Sequence, residues 1–267
     1  MLVSRPTQAP DALKSDHDDD VLASSPPSAL SPAAALFLDF DGTLVELAAA
    51  PSQINVAPDL TAILGRVAAR LGGALAIVTG RPIGAIDGFL SHAVECVVGL
   101  HGAEFRDSQQ HIIHPTIDLT AIRRGKSLLK DFAQHHPRVV FEDKGASAAL
   151  HFRAAPELAD ICREAVDKCV ALAAGTVERL DGHCIVELKS VNVSKGAAML
   201  SLMRTAPFAG RTPIFVGDDL TDETGFIAAS HQNGLGIIVG DRQPTAAKNR
   251  FPSVTAVLQW LREFSNR

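Results

Sequence analysis

The chain has 267 residues, 46% of them hydrophobic, which is enough for a core of ordinary depth and one inserted module. Its net charge of −5, with Lys and Arg dispersed rather than banked, leaves no basic footprint for nucleic acid or an acidic membrane and favours a small-molecule partner. No apolar run reaches the length of a membrane span or forms a signal-peptide core, and Cys96, Cys162, Cys169 and Cys184 show neither metal-ligand nor disulfide-scaffold spacing, so a cytoplasmic protein with buried reduced thiols is expected.

Residues 1–32 carry Pro6, Pro10, Pro26, Pro27 and Pro32, several serines and the acidic run Asp16-His17-Asp18-Asp19-Asp20. Such a segment cannot bury enough apolar surface to offset its ordering entropy and is expected to be a disordered tail. From residue 33 short apolar strands alternate with amphipathic helices: a strand at Leu36–Leu38, a helix with Leu60, Ile63, Leu64, Val67 and Leu71 on one face, a strand at Leu75–Val78, a helix after Arg81 and a strand at Val94–Leu100. This rhythm predicts a parallel sheet covered on both faces.

The middle departs from it. A helix near 117–135 precedes two adjacent strand-like runs, Val139–Glu142 and Ala148–Phe152, and a helix with Leu158, Ile161, Cys162, Ala165, Cys169 and Leu172 inward. Two more strands follow, near Thr176–Leu180 and Cys184–Leu188, with Asp181-Gly182 as the hairpin signal. The expectation is an α/β protein: a Rossmann-like parallel-sheet core over 33–106 and 186–267, with an α+β module inserted at 107–185. The core resumes with a helix at Lys195, a strand ending at Asp218, a strand at Leu235–Val239 and a final helix with Val254, Val257, Leu258 and Leu261 inward; Trp260 reads as packing or partly exposed surface.

Two apolar runs end in acids, Leu36-Phe37-Leu38-Asp39-Phe40-Asp41-Gly42-Thr43 and Pro213-Ile214-Phe215-Val216-Gly217-Asp218-Asp219-Leu220-Thr221-Asp222. A carboxylate at the end of a buried strand is costly unless a cation, hydrogen bonds or protonation compensates it. Gly42 lets the chain leave extended geometry at once, so both acids of the first run can face one point. Oxygen ligands suit Mg²⁺, and the metal candidates are Asp39, Asp41 through its carbonyl, Asp218 and Asp219, with Asp222 in the surroundings. A third run, Ala74 to Val78, ends in Thr79-Gly80-Arg81, where a hydroxyl and backbone N–H groups can hold a phosphate oxygen; Ser194-Lys195-Gly196 opens a helix with a cation.

In this order the motifs resemble the haloacid dehalogenase-like phosphohydrolases, with Asp39-Phe40-Asp41-Gly42-Thr43, Thr79, Lys195 and Gly217-Asp218-Asp219 through Asp222 as the four signatures. Phosphate esters resist direct attack by water, and a carboxylate nucleophile splits the reaction in two. Asp39 is then the nucleophile, Asp41 the acid and base, and Thr79 and Lys195 hold the phosphoryl oxygens, with Gly42 and Arg81 as further substrate contacts. The inserted module and its flanks resemble the trehalose-6-phosphate phosphatase family, through Gly99-Leu100-His101-Gly102-Ala103-Glu104, Glu142-Asp143-Lys144-Gly145, Ala149-Leu150-His151-Phe152-Arg153 and Glu187-Leu188-Lys189. The resemblance implies a mobile cap, with Glu142, Lys144 and Glu187 on the distal sugar and His101 as an additional contact, His151 being structural. Ser190 and Phe152 stand where that family often has proline and tyrosine. The partner implied is a small sugar phosphate, the substrate of a monomer, with no nucleic acid or membrane; the alternatives are another sugar phosphatase, acting on sucrose or hexose phosphate, which would share the catalytic motifs and differ only in cap residues, and a non-catalytic module that senses sugar phosphate.

Overall fold

The computed structural model describes residues 30–48, 53–115, 118–144, 147–182 and 184–266. The tail expected at 1–32 lies outside them up to residue 29, as does Gly145. Leu30 is buried in the main core, which therefore takes in a residue of the expected tail.

In chain order the elements are β1 (Ala34–Leu38), α1 (Leu60–Arg70), β2 (Leu75–Val78), α2 (Ile83–Leu90), β3 (Cys96–Gly99), β4 (Glu104–Arg106), β5 (Ile112–Ile113), α3 (Leu119–His135), β6 (Val140–Asp143), β7 (Ser147–His151), α4 (Ala159–Ala171), β8 (Val177–Gly182), β9 (Ile185–Ser190), α5 (Lys195–Leu202), β10 (Thr212–Gly217), α6 (Glu223–His231), β11 (Leu235–Val239), β12 (Asn249–Phe251) and α7 (Val254–Asn266). Eight strands form one sheet in the order β12-β11-β10-β1-β2-β3-β4-β5. From β12 to β3 it is parallel, and β4 and β5 close the edge antiparallel.

Every residue of β1, β2 and β3 is buried, as strands covered on both faces must be. The cover comes from helices with one apolar stripe: α1 buries Leu60, Ile63, Leu64 and Val67, and α7 buries Val254, Val257, Leu258 and Leu261. Trp260 is buried as well, its ring 5.3 Å from Phe251. Because β1 lies between β2 and β10, the strand order reverses there, and a crevice opens beyond the carboxyl ends of these three strands.

The second sheet, β6-β7-β9-β8, is wholly antiparallel and packs α3 and α4 over a separate core of Ile122, Leu129, Leu150, Cys162, Val166 and Leu188. Two boundaries differ from the sequence expectation. Strand β5 at Ile112–Ile113 still belongs to the first sheet, and β9 keeps the chain in the second sheet through Ser190, beyond the expected return at 186. The β8–β9 reversal also differs: Asp181 and Gly182 pair with Val186 and Ile185, so the chain turns after Gly182 and not on the Asp-Gly pair. The ladder ends at the Gly182–Ile185 pair, and Cys184, in the turn, takes the left-handed conformation that the reversal needs (φ 59°).

Candidate active site

Asp39 follows β1, Thr79 follows β2 and Asp218 follows β10, so three neighbouring parallel strands deliver them to the same crevice. The ladder continues one residue past β1, where Asp39 N–H donates to the Val216 carbonyl at 2.9 Å. Ser194 starts α5, its hydroxyl accepting from Ala197 N–H at 3.0 Å, and this cap turns Lys195 inward.

Lys195 is 2% exposed, and its ammonium lies 2.9 Å from Asp39 and 2.7 Å from Asp222. Burial works to lower its pKa, but the carboxylates of Asp222 and Asp39 outweigh it, so the group stays charged. Asp222 is fully buried; one oxygen accepts from Lys195 and the other from the N–H groups of Asp218 and Asp219, at 3.1 and 3.0 Å. It therefore aims the lysine and shapes the loop that carries Asp218.

Gly42 adopts φ 72°, and a Cβ there would stand 2.7 Å from Asp218 Oδ1 and closer still to Oδ2. Asp218 thus lies directly over the glycine of the first motif. Asp39, Asp218 and Asp222 each offer a carboxylate oxygen within 4.8 Å of the others. Burial first, then Asp222, hold Asp39 well above the usual carboxylate pKa, against the pull of Lys195. Burial, Asp222 and Asp219 push Asp218 up to about 6. One lysine does not balance this much buried negative charge, and a hard cation between Asp39 and Asp218 would. The donor set fits a divalent ion; Asp222, with both oxygens engaged by protein donors, belongs to the layer behind. Thr43, beside Gly42, buries a hydroxyl that has no hydrogen-bond partner among the described residues.

Three expected residues sit differently. Asp219, counted among the metal candidates, is outside the cluster: its carboxylate caps the short turn Leu220–Asp222 by accepting the Asp222 N–H. Asp41 turns its carboxylate to Arg81 rather than to the cluster, both oxygens accepting at 2.6 Å from Nε and Nη2. Arg81, expected on the substrate, is therefore engaged with Asp41. The Thr79 hydroxyl accepts from Arg81 N–H at 3.1 Å, which leaves its own hydrogen to be donated.

Above the crevice a cleft of about 1090 Å³ runs between the two sheets' units. Gly80, His101, Lys195, Asp219 and Arg242 line it from one side, and Glu142, Lys144, Ser147, Asp181 and Glu187 from the other. Lys144 Nζ donates to Glu187 at 2.8 Å, and the Ser147 hydroxyl to the other oxygen at 2.5 Å. His151 Nε2 lies 2.7 Å from Glu142, so its structural role is to hold that carboxylate. His101 sits in a left-handed turn (φ 55°) pinned by Gly102, where a Cβ would come within 2.6 Å of the Ser194 carbonyl. Its ring is open to water in the cleft but walled by protein, and this enclosure, followed by Lys195, lowers its pKa to about 4. The surroundings of His101 therefore favour the neutral imidazole.

The sequence reading missed Arg242. Its guanidinium donates to the carbonyls of Asp218 and Asp219, each at 3.3 Å, and pairs with Glu223. The available signal was its place in Gly240-Asp241-Arg242-Gln243-Pro244, a turn directly after β11, at the carboxyl edge of the sheet where ligands bind.

Comparison with known proteins agrees with this geometry. The family model described as trehalose-phosphatase matches residues 37–254. A probable trehalose-phosphate phosphatase of Sinorhizobium fredii is 37% identical over 224 residues, 84% of each chain, and the trehalose-6-phosphate phosphatase of Escherichia coli is 36% identical over 235 residues, 87% of this chain and 86% of the relative. In fold, the chain superimposes on the Aspergillus fumigatus trehalose-6-phosphate phosphatase with a TM-score of 0.71 at 22% identity, covering 89% of this chain and 98% of that one. A Bacteroides thetaiotaomicron phosphatase of the haloalkanoate (HAD) superfamily aligns with a TM-score of 0.59 at 18% identity over 86% of this chain and 94% of that one. The fold is thus shared with these phosphatases, and the chain belongs to the trehalose-phosphatase family.

Proposed function

We propose that the chain hydrolyses trehalose 6-phosphate to trehalose and phosphate, the last step of trehalose biosynthesis, through an aspartyl-phosphate on Asp39 and with Mg²⁺ as its cation. What carries the reading is the meeting of Asp39, Lys195 and Asp218 at the carboxyl ends of β1 and β10, beneath a cleft whose other wall holds Glu142, Lys144 and Glu187. An Asp39 oxygen attacks phosphorus, the bond from phosphorus to the sugar oxygen breaks, and Asp41 gives that oxygen a proton. Asp41 then takes a proton from the water that attacks the acyl phosphate, and Asp39 is restored. Lys195, fixed by Asp222, keeps positive charge beside the attacked phosphoryl group without having to move, and the Thr79 hydroxyl donates to one of its oxygens. Bound between Asp39 and Asp218, with the Asp41 carbonyl as a further oxygen, Mg²⁺ would offset the repulsion between carboxylates and phosphate.

The second sheet with α3 and α4 acts as the cap, and its Glu142, Lys144 and Glu187, with His101 opposite, engage the hydroxyls of the distal glucose as acceptors and donors. The enzyme so read works as a monomer on a small molecule. The free thiols Cys96, Cys162 and Cys169, all buried, suit the reducing cytoplasm. Among the described residues no helix is long and apolar enough to cross a membrane.

The test is magnesium-dependent phosphate release from trehalose 6-phosphate, sucrose 6-phosphate and glucose 6-phosphate. Discrimination by buried polar contacts predicts at least a ~10-fold advantage in kcat/KM for the first. Equal turnover of the three, or turnover undiminished by a chelator, would overturn the assignment.

A further inference from the structure

Arg81 stands apart from the rest of the site because its guanidinium is spent on a catalytic acid rather than on a phosphate. Its Nε and Nη2 each reach an Asp41 oxygen at 2.6 Å, the two-pronged geometry in which a carboxylate has least freedom to rotate. The side chain is 14% exposed, and its guanidinium carbon lies 5.9 Å from the ring centre of Phe40 and 5.3 Å from that of Phe89, rings that stack on each other at 5.8 Å. Its backbone is tied on both sides, the N–H to the Thr79 hydroxyl and the carbonyl to Leu100 N–H at 3.1 Å. A guanidinium held this firmly is a fixed template. Asp41 is two residues from Asp39 and adjacent to the glycine over which Asp218 lies, so its carboxylate has to be kept apart from an acidic cluster close by in the chain.

We propose that Arg81 is a positioning residue for Asp41: its fork holds the resting carboxylate out of the Asp39–Asp218 cluster, and when one oxygen takes up the proton to be donated the other stays on the guanidinium, so the acid remains aimed at the bond to be broken. The inference rests on the reading of Asp41 as acid and base. Proton donation matters when the departing group is a sugar alkoxide, which must be protonated as the Asp39 oxygen bonds to phosphorus. It matters little for p-nitrophenolate, which leaves as a stable anion.

The experiment measures first-turnover product release from trehalose 6-phosphate and from p-nitrophenyl phosphate in R81Q, R81K, D41N and the R81Q/D41N double variant, with a thermal melt for each. A general acid is worth ~10²–10⁴ in rate, so R81Q is expected to release trehalose about 100-fold more slowly while p-nitrophenolate release stays within about fivefold. R81K keeps the charge and the stem over Phe40 and Phe89 and loses the fork; it is expected to show the same split with an intact fold. In the D41N background, adding R81Q is expected to change trehalose release by less than about twofold, because a residue that acts only through Asp41 has nothing left to position. Equal losses on both substrates, a loss that saturating substrate restores, full additivity in the double variant, or no change in either single Arg81 variant would each overturn the proposal. If D41N itself shows no split between the two leaving groups, the fault lies in the role given to Asp41; if D41N shows the split and R81K does not, it lies in the role given to Arg81.

Discussion

Gly42→Ala tests the placement of Asp218 with the smallest possible change. The added methyl would stand 2.7 Å from Asp218 Oδ1 and closer to its other oxygen, whereas ordinary contact begins at 3.4 Å. The carboxylate must therefore retreat by about 1 Å, since repulsion rises steeply inside contact distance. Alanine also strains at φ 72°, at a cost of roughly 1–2 kcal/mol. For a chain of this size that lowers the melting temperature by roughly 2–8 °C and leaves the protein folded at assay temperature. A 1 Å misplacement of a catalytic group costs about 10²-fold, so phosphate release is expected to fall by about that factor, with a raised Mg²⁺ concentration for half-activation. The assay is a magnesium titration of trehalose 6-phosphate hydrolysis beside a thermal melt. A variant that melts lower yet keeps wild-type turnover and magnesium dependence would show that Asp218 has no part in holding the ion.

Asp222→Ala removes one of the two partners of a buried lysine and strands two backbone N–H groups; breaking such a pair costs about 3–5 kcal/mol, so the melt should drop well beyond that of G42A, and an equal or smaller drop refutes the brace. Asp218 has a folded-state pKa raised to about 6, so in the absence of a cation its contribution to stability is fully present below the unfolded pKa and is lost as pH rises through the folded one. Added Mg²⁺ relieves that loss and should raise the melting temperature more near pH 7.5 than near pH 5, roughly either side of that pKa; a larger gain at the acidic end contradicts the site. Glu187→Gln weakens the grip of Lys144 and Ser147 on the cap wall and is expected to raise KM for trehalose 6-phosphate about tenfold, leaving p-nitrophenyl phosphate hydrolysis within about twofold. Equal effects on both substrates would remove Glu187 from sugar recognition.

The central strands were legible because burial on both faces writes unbroken apolar runs, and Asp39, Thr79 and Asp218 stand out as the polar residues that end them. Lys195 was legible from the serine that caps its helix. What the sequence hid was partnership. Nothing local says that Arg81 turns back to Asp41, forty positions earlier, or that Asp219 spends its carboxylate on a turn while Asp222, three residues on, reaches Lys195. Such choices are made by tertiary placement, among several carboxylates of equal chemistry. The β8–β9 reversal was misplaced for a related reason: Asp-Gly is a strong local turn signal, but cross-strand pairing with Val186 and Ile185 outweighed it.

The register of β1 has a bearing on how the chain is made. Ala34–Leu38 pairs with Thr212–Val216, so a fully apolar central strand leaves the ribosome with one of its two neighbours still 178 residues from synthesis. Until β10 emerges, β1 carries an open edge of unpaired amides flanked by greasy side chains, a template for association with other chains. The inserted sheet, with a core of its own, is translated inside this interval. A nascent chain halted before Thr212 is therefore expected to hold a folded insert above an unfinished, aggregation-prone base that lacks every function of the completed enzyme.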